Sequence, residues 1–213
     1  MVVETRRCVQ ADMFWFLLAA ALTLLQEAYK SRDRICLIAF HDNEAEVLVP
    51  PTKSMALARA RLDQMPCGGR SPLAHAMVTA MSTGLNAVKV KQDVGRVVVV
   101  LITDGRPTIP LCVSEGRPFD AATMAEAPSD VKDDGQASRK FCEKEVYAIA
   151  KQLGAVSKDL DLLVIDTEDK FVATGVAREI ARLSRSTYYA LDAGKASDIL
   201  AATRKQVEVS RIQ

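Results

Sequence analysis

The sequence predicts an α/β domain, a doubly wound, mostly parallel sheet with helices on both faces. Three observations carry that expectation. The run from Val97 to Ile102 is apolar, largely β-branched and stops abruptly at Thr103-Asp104-Gly105. Four consecutive valines suit a strand covered on both faces, as parallel strands are. Further buried-strand runs at Arg34 to Phe40 and Leu160 to Ile165 alternate with helix-length segments, the pattern of a sheet built by right-handed crossovers. A length of 213 residues fits one such domain with a substantial core.

The elements follow in order. Met13 to Leu25 is almost wholly apolar and continues into Gln26 to Lys30. Thirteen residues are too few to span a bilayer. Glu4 and Asp12 spoil the basic flank of a signal peptide, so a buried helix over about 12–31 is expected, with a cleaved signal as the alternative. After the strand at Arg34 to Phe40, His41-Asp42-Asn43 turns the chain. Ala45 to Val49 returns as a short strand that Pro50-Pro51 ends. Ser54 can cap a helix to about Gln64. Ser71-Pro72 opens another, with serine at the cap and proline at the first helical position. The central strand covers about 96–103. Residues 112–140 are polar and aperiodic, a long surface excursion. A helix over 141–156, the strand ending at Asp166, a helix around 172–184, a strand at Thr187 to Leu191 and a helix over about 195–208 complete the chain.

Bulk properties exclude several classes. With 28 basic and 27 acidic residues the net charge is +1, and aromatics make up 5%. Neither an electrostatic footprint nor a stacking platform for nucleic acid is present. The five cysteines are scattered and contain no C-x-x-C, which suits reduced thiols rather than disulfides or a zinc site. There is no dinucleotide or P-loop glycine motif.

Asp104 falls at the carboxyl end of a strand, where open α/β sheets bind ligands. Ser71 follows a glycine-containing loop expected on the same rim. A hydroxyl and a carboxylate, supplemented by water, suit a hard cation such as magnesium. The alternatives are a plain turn at Asp104-Gly105 and a plain helix cap at Ser71. His75, one turn into its helix, reads as a structural hydrogen-bonding residue. Asp166 and Asp169 read as a solvated loop after their strand, and Lys132-Asp133-Asp134 as a solvated turn.

The segments PCGGRSPLAHAM (66–77), LITDGRPTIPL (101–111), LLVIDTEDKFVATGVAREIARL (162–183) and DRICLIAFHDNEAEVLVPPTKSMALARARLD (33–63) resemble the C-terminal integrin-I-like, von Willebrand A-type domain of the D-type magnesium chelatase proteins. The resemblance runs from Leu24 to Val207. It implies a metal-ion-dependent adhesion site in which Ser71 and Asp104 match the second and third ligand loops, and it makes a rim contact the alternative to a solvated loop for Asp166 and Asp169. That family's first loop is D-x-S-x-S after an apolar strand. Counted back from Tyr29, the corresponding positions here are Glu4, Arg6 and Cys8. Glu4 is thus a third candidate ligand, but the two serines are replaced and Arg6 brings a charge that opposes a cation. Residues 1–11 therefore read as a degenerate remnant of the first central strand and its loop, the strand short or missing, and 12–213 as the von Willebrand A-like domain. Either the chain begins inside a longer protein or it is a degenerate paralogue.

The resemblance implies an assembly module of the complex that inserts magnesium into protoporphyrin IX. Its partners would be chelatase subunits I and H. Mg2+ would be the ion, with weak or absent binding in this chain, and ATP would act only through missing or partner ATPase modules. No nucleic acid or membrane span is expected. The location implied is a plastid, or the cytoplasm of a phototrophic bacterium. Two rivals are a scaffold for another metal-inserting ATPase, such as a cobalt chelatase, and a hydrolase using Asp104 with His75, for which no nucleophile–base–orienter set is evident.

Overall fold

The valine run forms β4 (Val97–Thr103), and every other strand is placed by reference to it. The structure is a computed structural model that describes residues 1–4, 30, 32–64, 69–90, 95–119, 139–168 and 174–190. The expected helices over 12–31, apart from Lys30, and over 195–208 lie outside these residues. So do Arg6, Cys8, Asp169, Leu191, Lys132-Asp133-Asp134 and most of the 112–140 excursion.

On one side β4 pairs with β1 (Val2–Glu4), and on the other with β5 (Leu160–Asp166). β2 (Ile35–His41) adds beside β1, β3 (Glu44–Thr52) beside β2, and β6 (Thr187–Ala190) beside β5. The order is therefore β3-β2-β1-β4-β5-β6, parallel throughout except for β3. The expected doubly wound sheet is present, and its first central strand is three residues long. Such short pairing suffices because Val2 and Val3 are fully buried and hydrogen-bonded on both sides.

Alternation along each strand sorts the side chains into two layers. Val2, Ile38, Phe40, Val99, Leu101, Leu162 and Val164 pack with α2 (Leu73–Val90), α4 (Arg139–Ala155) and α5 (Val176–Ser184). Val3, Leu37, Ala39, Val100, Ile102, Leu163 and Ile165 face the other way, where Ala58 and Leu62 of α1 (Met55–Asp63) cover them. Ser54 caps α1 as its type and position imply, its hydroxyl accepting from the Leu57 amide. Cys36, Cys112 and Cys142 are free thiols.

Three expectations need correction. β3 does not end at Pro50-Pro51 but runs through both to Thr52. It is an edge strand, so a proline nitrogen can face away from its one partner without breaking a ladder bond. The 112–140 excursion, expected to be aperiodic, opens instead on a short helix, α3 (Leu111–Ser114). Finally, α5 begins only at Val176, after Gly175 in a left-handed conformation.

Candidate metal centre

The strand order reverses between β1 and β4, and the carboxyl ends of these two strands open a crevice of the kind that receives ligands in open α/β sheets. Glu4 ends β1 and Thr103-Asp104 ends β4. The register Val3 opposite Ile102 sets Glu4 beside Thr103. Thr103 Oγ1 donates to Glu4 Oε2 at 2.5 Å, and the Asp104 amide donates to the same oxygen at 3.1 Å. The Thr103 hydroxyl accepts in turn from the Gly105 amide at 3.1 Å. One carboxylate oxygen is thereby fixed by the very turn that carries Asp104.

Ser71 reaches the same place from the other side. Its amide donates to Thr108 Oγ1 at 2.8 Å, and its carbonyl accepts from the Thr108 amide at 3.0 Å. This reciprocal clasp ties the loop entering α2 to the loop leaving β4. Ser71 is fully buried, yet its hydroxyl has no hydrogen-bond partner. It is therefore not serving as a helix cap, the alternative that its spacing offers. Glu4 Oε1 is likewise buried and unpartnered. Buried polar atoms rarely go without a partner, and a place as ion ligands is one of the situations that explains them.

The electrostatics agree. The carboxyl of Glu4 is pushed up to about 7, first by burial and then by the nearby Asp104 carboxylate. The hydroxyls of Ser71 and Thr103 and the Asp104 amide work the other way. Ser71 Oγ thus lies near enough to favour the ionised carboxyl, although no bond of ordinary geometry joins the two. Asp104 holds its own turn, with Oδ1 accepting from the Arg106 amide at 3.0 Å.

The structure brings together Glu4, Ser71 and Asp104, the three candidates named from the sequence. Two carboxylates and a hydroxyl, all oxygen, fit a hard cation that keeps several waters. Among the described residues no group of three or more His, Cys, Asp or Glu is placed to hold a metal. His75 lies apart from this chemistry. Its Nδ1 accepts from the Ala45 amide at 2.9 Å, which joins α2 to β3.

Asp166 departs from the solvated loop that its sequence context predicts. Only 7% exposed, it accepts from the Glu168 amide at 2.9 Å and from the Tyr188 hydroxyl at 2.7 Å. Glu168 escapes the sequence reading altogether. Its carboxylate accepts from the Thr174 amide at 2.6 Å, the Thr174 hydroxyl at 3.1 Å, the Gly175 amide at 3.4 Å and Arg106 Nε at 3.4 Å. The signal that could have found it is an acidic residue just after a strand end, six residues ahead of Thr-Gly at a helix start.

The described elements form an α/β domain whose switch point gathers oxygen donors from Glu4, Ser71 and Asp104. Residues 5–106 match the von Willebrand factor type A domain. The vWF domain of the pili tip protein Mfa5 from Porphyromonas gingivalis superposes with a TM-score of 0.67 at 12% identity, over 98% of this chain and 94% of that one. The SpRpn10 VWA domain gives 0.58 at 10% identity, over 93% and 90%. Residues 5–106 thus match the von Willebrand factor type A family, and the described elements share its fold.

The chain is 35% identical over 192 residues to the magnesium-chelatase 67 kDa subunit of Heliobacterium mobile, covering 90% of this chain and 25% of that protein. The corresponding subunit of Chlorobaculum tepidum gives 35% over 183 residues, 86% and 26%. The chain thus spans about a quarter of the length of these relatives. An uncharacterized Methanocaldococcus jannaschii protein, MJ0910, is 26% identical over 174 residues, 81% of this chain and 83% of that protein. Among the described residues no helix is long and apolar enough to cross a membrane.

Proposed function

We propose that this chain is a partner-binding module of a magnesium-chelatase assembly, non-catalytic by itself, whose rim holds Mg2+ through Glu4, Ser71 and Asp104. The observation that carries this reading is the pair of buried, unpartnered oxygens, Glu4 Oε1 and Ser71 Oγ, meeting beside Asp104 at the switch point. When bound, the ion would supply a positive centre with exchangeable water positions. The chain's own residues do the rest. Thr103 and the Asp104 amide hold one Glu4 oxygen and leave the other without a partner. The Ser71–Thr108 clasp sets the hydroxyl's distance from both carboxylates.

Three protein donors leave room for a carboxylate from another protein, and that added ligand fixes orientation as well as affinity. The 35% identity to magnesium-chelatase subunits supports placing the partner within such a complex, subunits I and H being the candidates. ATP would act through those partners or through an ATPase module. A plastid or the cytoplasm of a phototrophic bacterium is the location this reading carries.

The test is co-purification of the full chain with subunits I and H in magnesium and again in EDTA. Retention of at least one subunit in magnesium, lost in EDTA and in Asp104→Ala, is expected. Retention indifferent to both changes would remove the ion from the reading, and no retention at all would remove the partners.

A further inference from the structure

The loop that carries Asp104 also carries a positive charge. Arg106 sits two residues on, and its amide is bonded to the Asp104 carboxylate. The side chain of Arg106 brings a positive charge to the turn that carries Asp104, and such a charge opposes a dication there. The turn between them is closely packed. Gly105 has a φ of +67, and a Cβ there would lie 3.2 Å from the Ala177 amide nitrogen and 3.4 Å from Thr174 Oγ1.

Glu168 answers that charge. Its side chain is 2% exposed against 33% for Arg106, and the ion pair between them runs from Nε to Oε1. The other oxygen, Oε2, accepts from the amides of Thr174 and Gly175 and from the Thr174 hydroxyl. Those donors belong to the loop leading into α5, so the carboxylate is anchored independently of the arginine. Thr174 Oγ1 also lies 3.4 Å from the Gly105 carbonyl. The segment Asp104–Arg106 is therefore gripped at its glycine and at its arginine by one buried group and the loop it organises.

We infer that Glu168 is a positioning residue of the ion site: it neutralises Arg106 and so keeps the Asp104 carboxylate available to a divalent cation. This rests on the ion reading given above, but it concerns residues that would touch no ion. A purely architectural Glu168 would leave ion affinity to follow stability. A charge-compensating one makes affinity depend on Arg106.

The test uses the full chain, Mg2+ alone as probe, and calorimetric titration beside melting curves in EDTA. Glu168→Gln keeps the shape and an acceptor for the Thr174 amide while removing the charge. Its Mg2+ affinity is expected to fall about tenfold or more. Arg106→Gln should bind at least as well as the parent, and the double variant should return to within about threefold of it. Unchanged affinity in Glu168→Gln overturns the inference while the ion reading stands. A weakened Glu168→Gln that Arg106→Gln does not rescue, with a lower melting temperature in EDTA, overturns it in favour of plain architecture. A parent chain that takes up no Mg2+ overturns the ion reading and this inference with it.

Discussion

Glu4→Gln stabilises the metal-free protein at pH 8 by about 3 kcal/mol and abolishes its stabilisation by magnesium. The first half follows from linkage. Burial and the Asp104 carboxylate raise the folded-state carboxyl from 4.5 to about 7, and each unit is worth about 1.4 kcal/mol. An acid whose affinity for its proton rises on folding favours the folded state fully below the unfolded value. That contribution is lost as pH climbs from about 4.5 to 7 and is absent above. Glutamine stays neutral across that range. Its amide oxygen can accept from the Thr103 hydroxyl and the Asp104 amide as Glu4 Oε2 does. Denaturant unfolding in EDTA should therefore show variant and parent equal near pH 4 and diverging as pH rises. Adding Mg2+ at pH 8 should close the gap by lifting the parent alone. A variant less stable than the parent at pH 8 in EDTA would mean that the two carboxylates do not oppose each other.

Gly69→Val lowers stability on the order of 3 kcal/mol and removes the magnesium response together with it. Gly69 has φ +92, a region that β-branched residues avoid. A Cβ there would stand 1.9 Å from Asp42 Oδ1 and 2.8 Å from the Asp42 amide nitrogen. The side chain of Asp42 can swing aside, but its amide belongs to the turn joining β2 to β3. Asp42 is itself left-handed at φ +52, so that turn has little freedom to retreat. The loop carrying Gly69 must shift instead, and Ser71 lies two residues further along it. Gly95→Ala is the control. Nothing lies within 4 Å of its Cβ position, and it should stay within about 0.5 kcal/mol of the parent. Melting temperatures and Mg2+ titrations of both variants check this. A Gly69→Val protein that responds to magnesium like its parent would detach the loop from the site.

Much of the sheet was legible because buried parallel strands write their burial on both faces. Val97–Thr103 and Leu160–Asp166 need no periodicity to be seen, only continuous apolar residues between turns. Asp104 was legible for the same reason, being the first charged side chain after such a run. Glu4 was not legible on its own. Three residues of strand give no pattern, and only the resemblance, counted back from Tyr29, put it at the rim. What makes it a candidate ligand is its neighbour across the sheet, Thr103, and strand pairing 99 residues apart leaves no mark on local sequence.

Ser71 shows the opposite failure. Serine before proline at a helix start satisfies every local rule for a cap, yet tertiary contact with Thr108 takes its backbone and leaves its hydroxyl for the crevice. Pro50-Pro51 reads as a terminator and is instead strand, since the edge position that makes it tolerable is a property of the whole sheet. Asp166 and Glu168 look like a wet loop because a row of charges usually is one. Their burial depends on Thr174, just ahead of α5, and Tyr188, on β6, reaching them.

The most direct measurement is a Mg2+ titration of the full chain, read by calorimetry at pH 8, beside Ser71→Ala and Asp104→Ala. A weak, saturable site in the range of about 0.1–1 mM, as suits three protein oxygens and several waters, is expected in the parent and absent from both variants. Heat that is missing from the parent, or that survives both substitutions, would contradict the claim that these three loops meet to hold an ion.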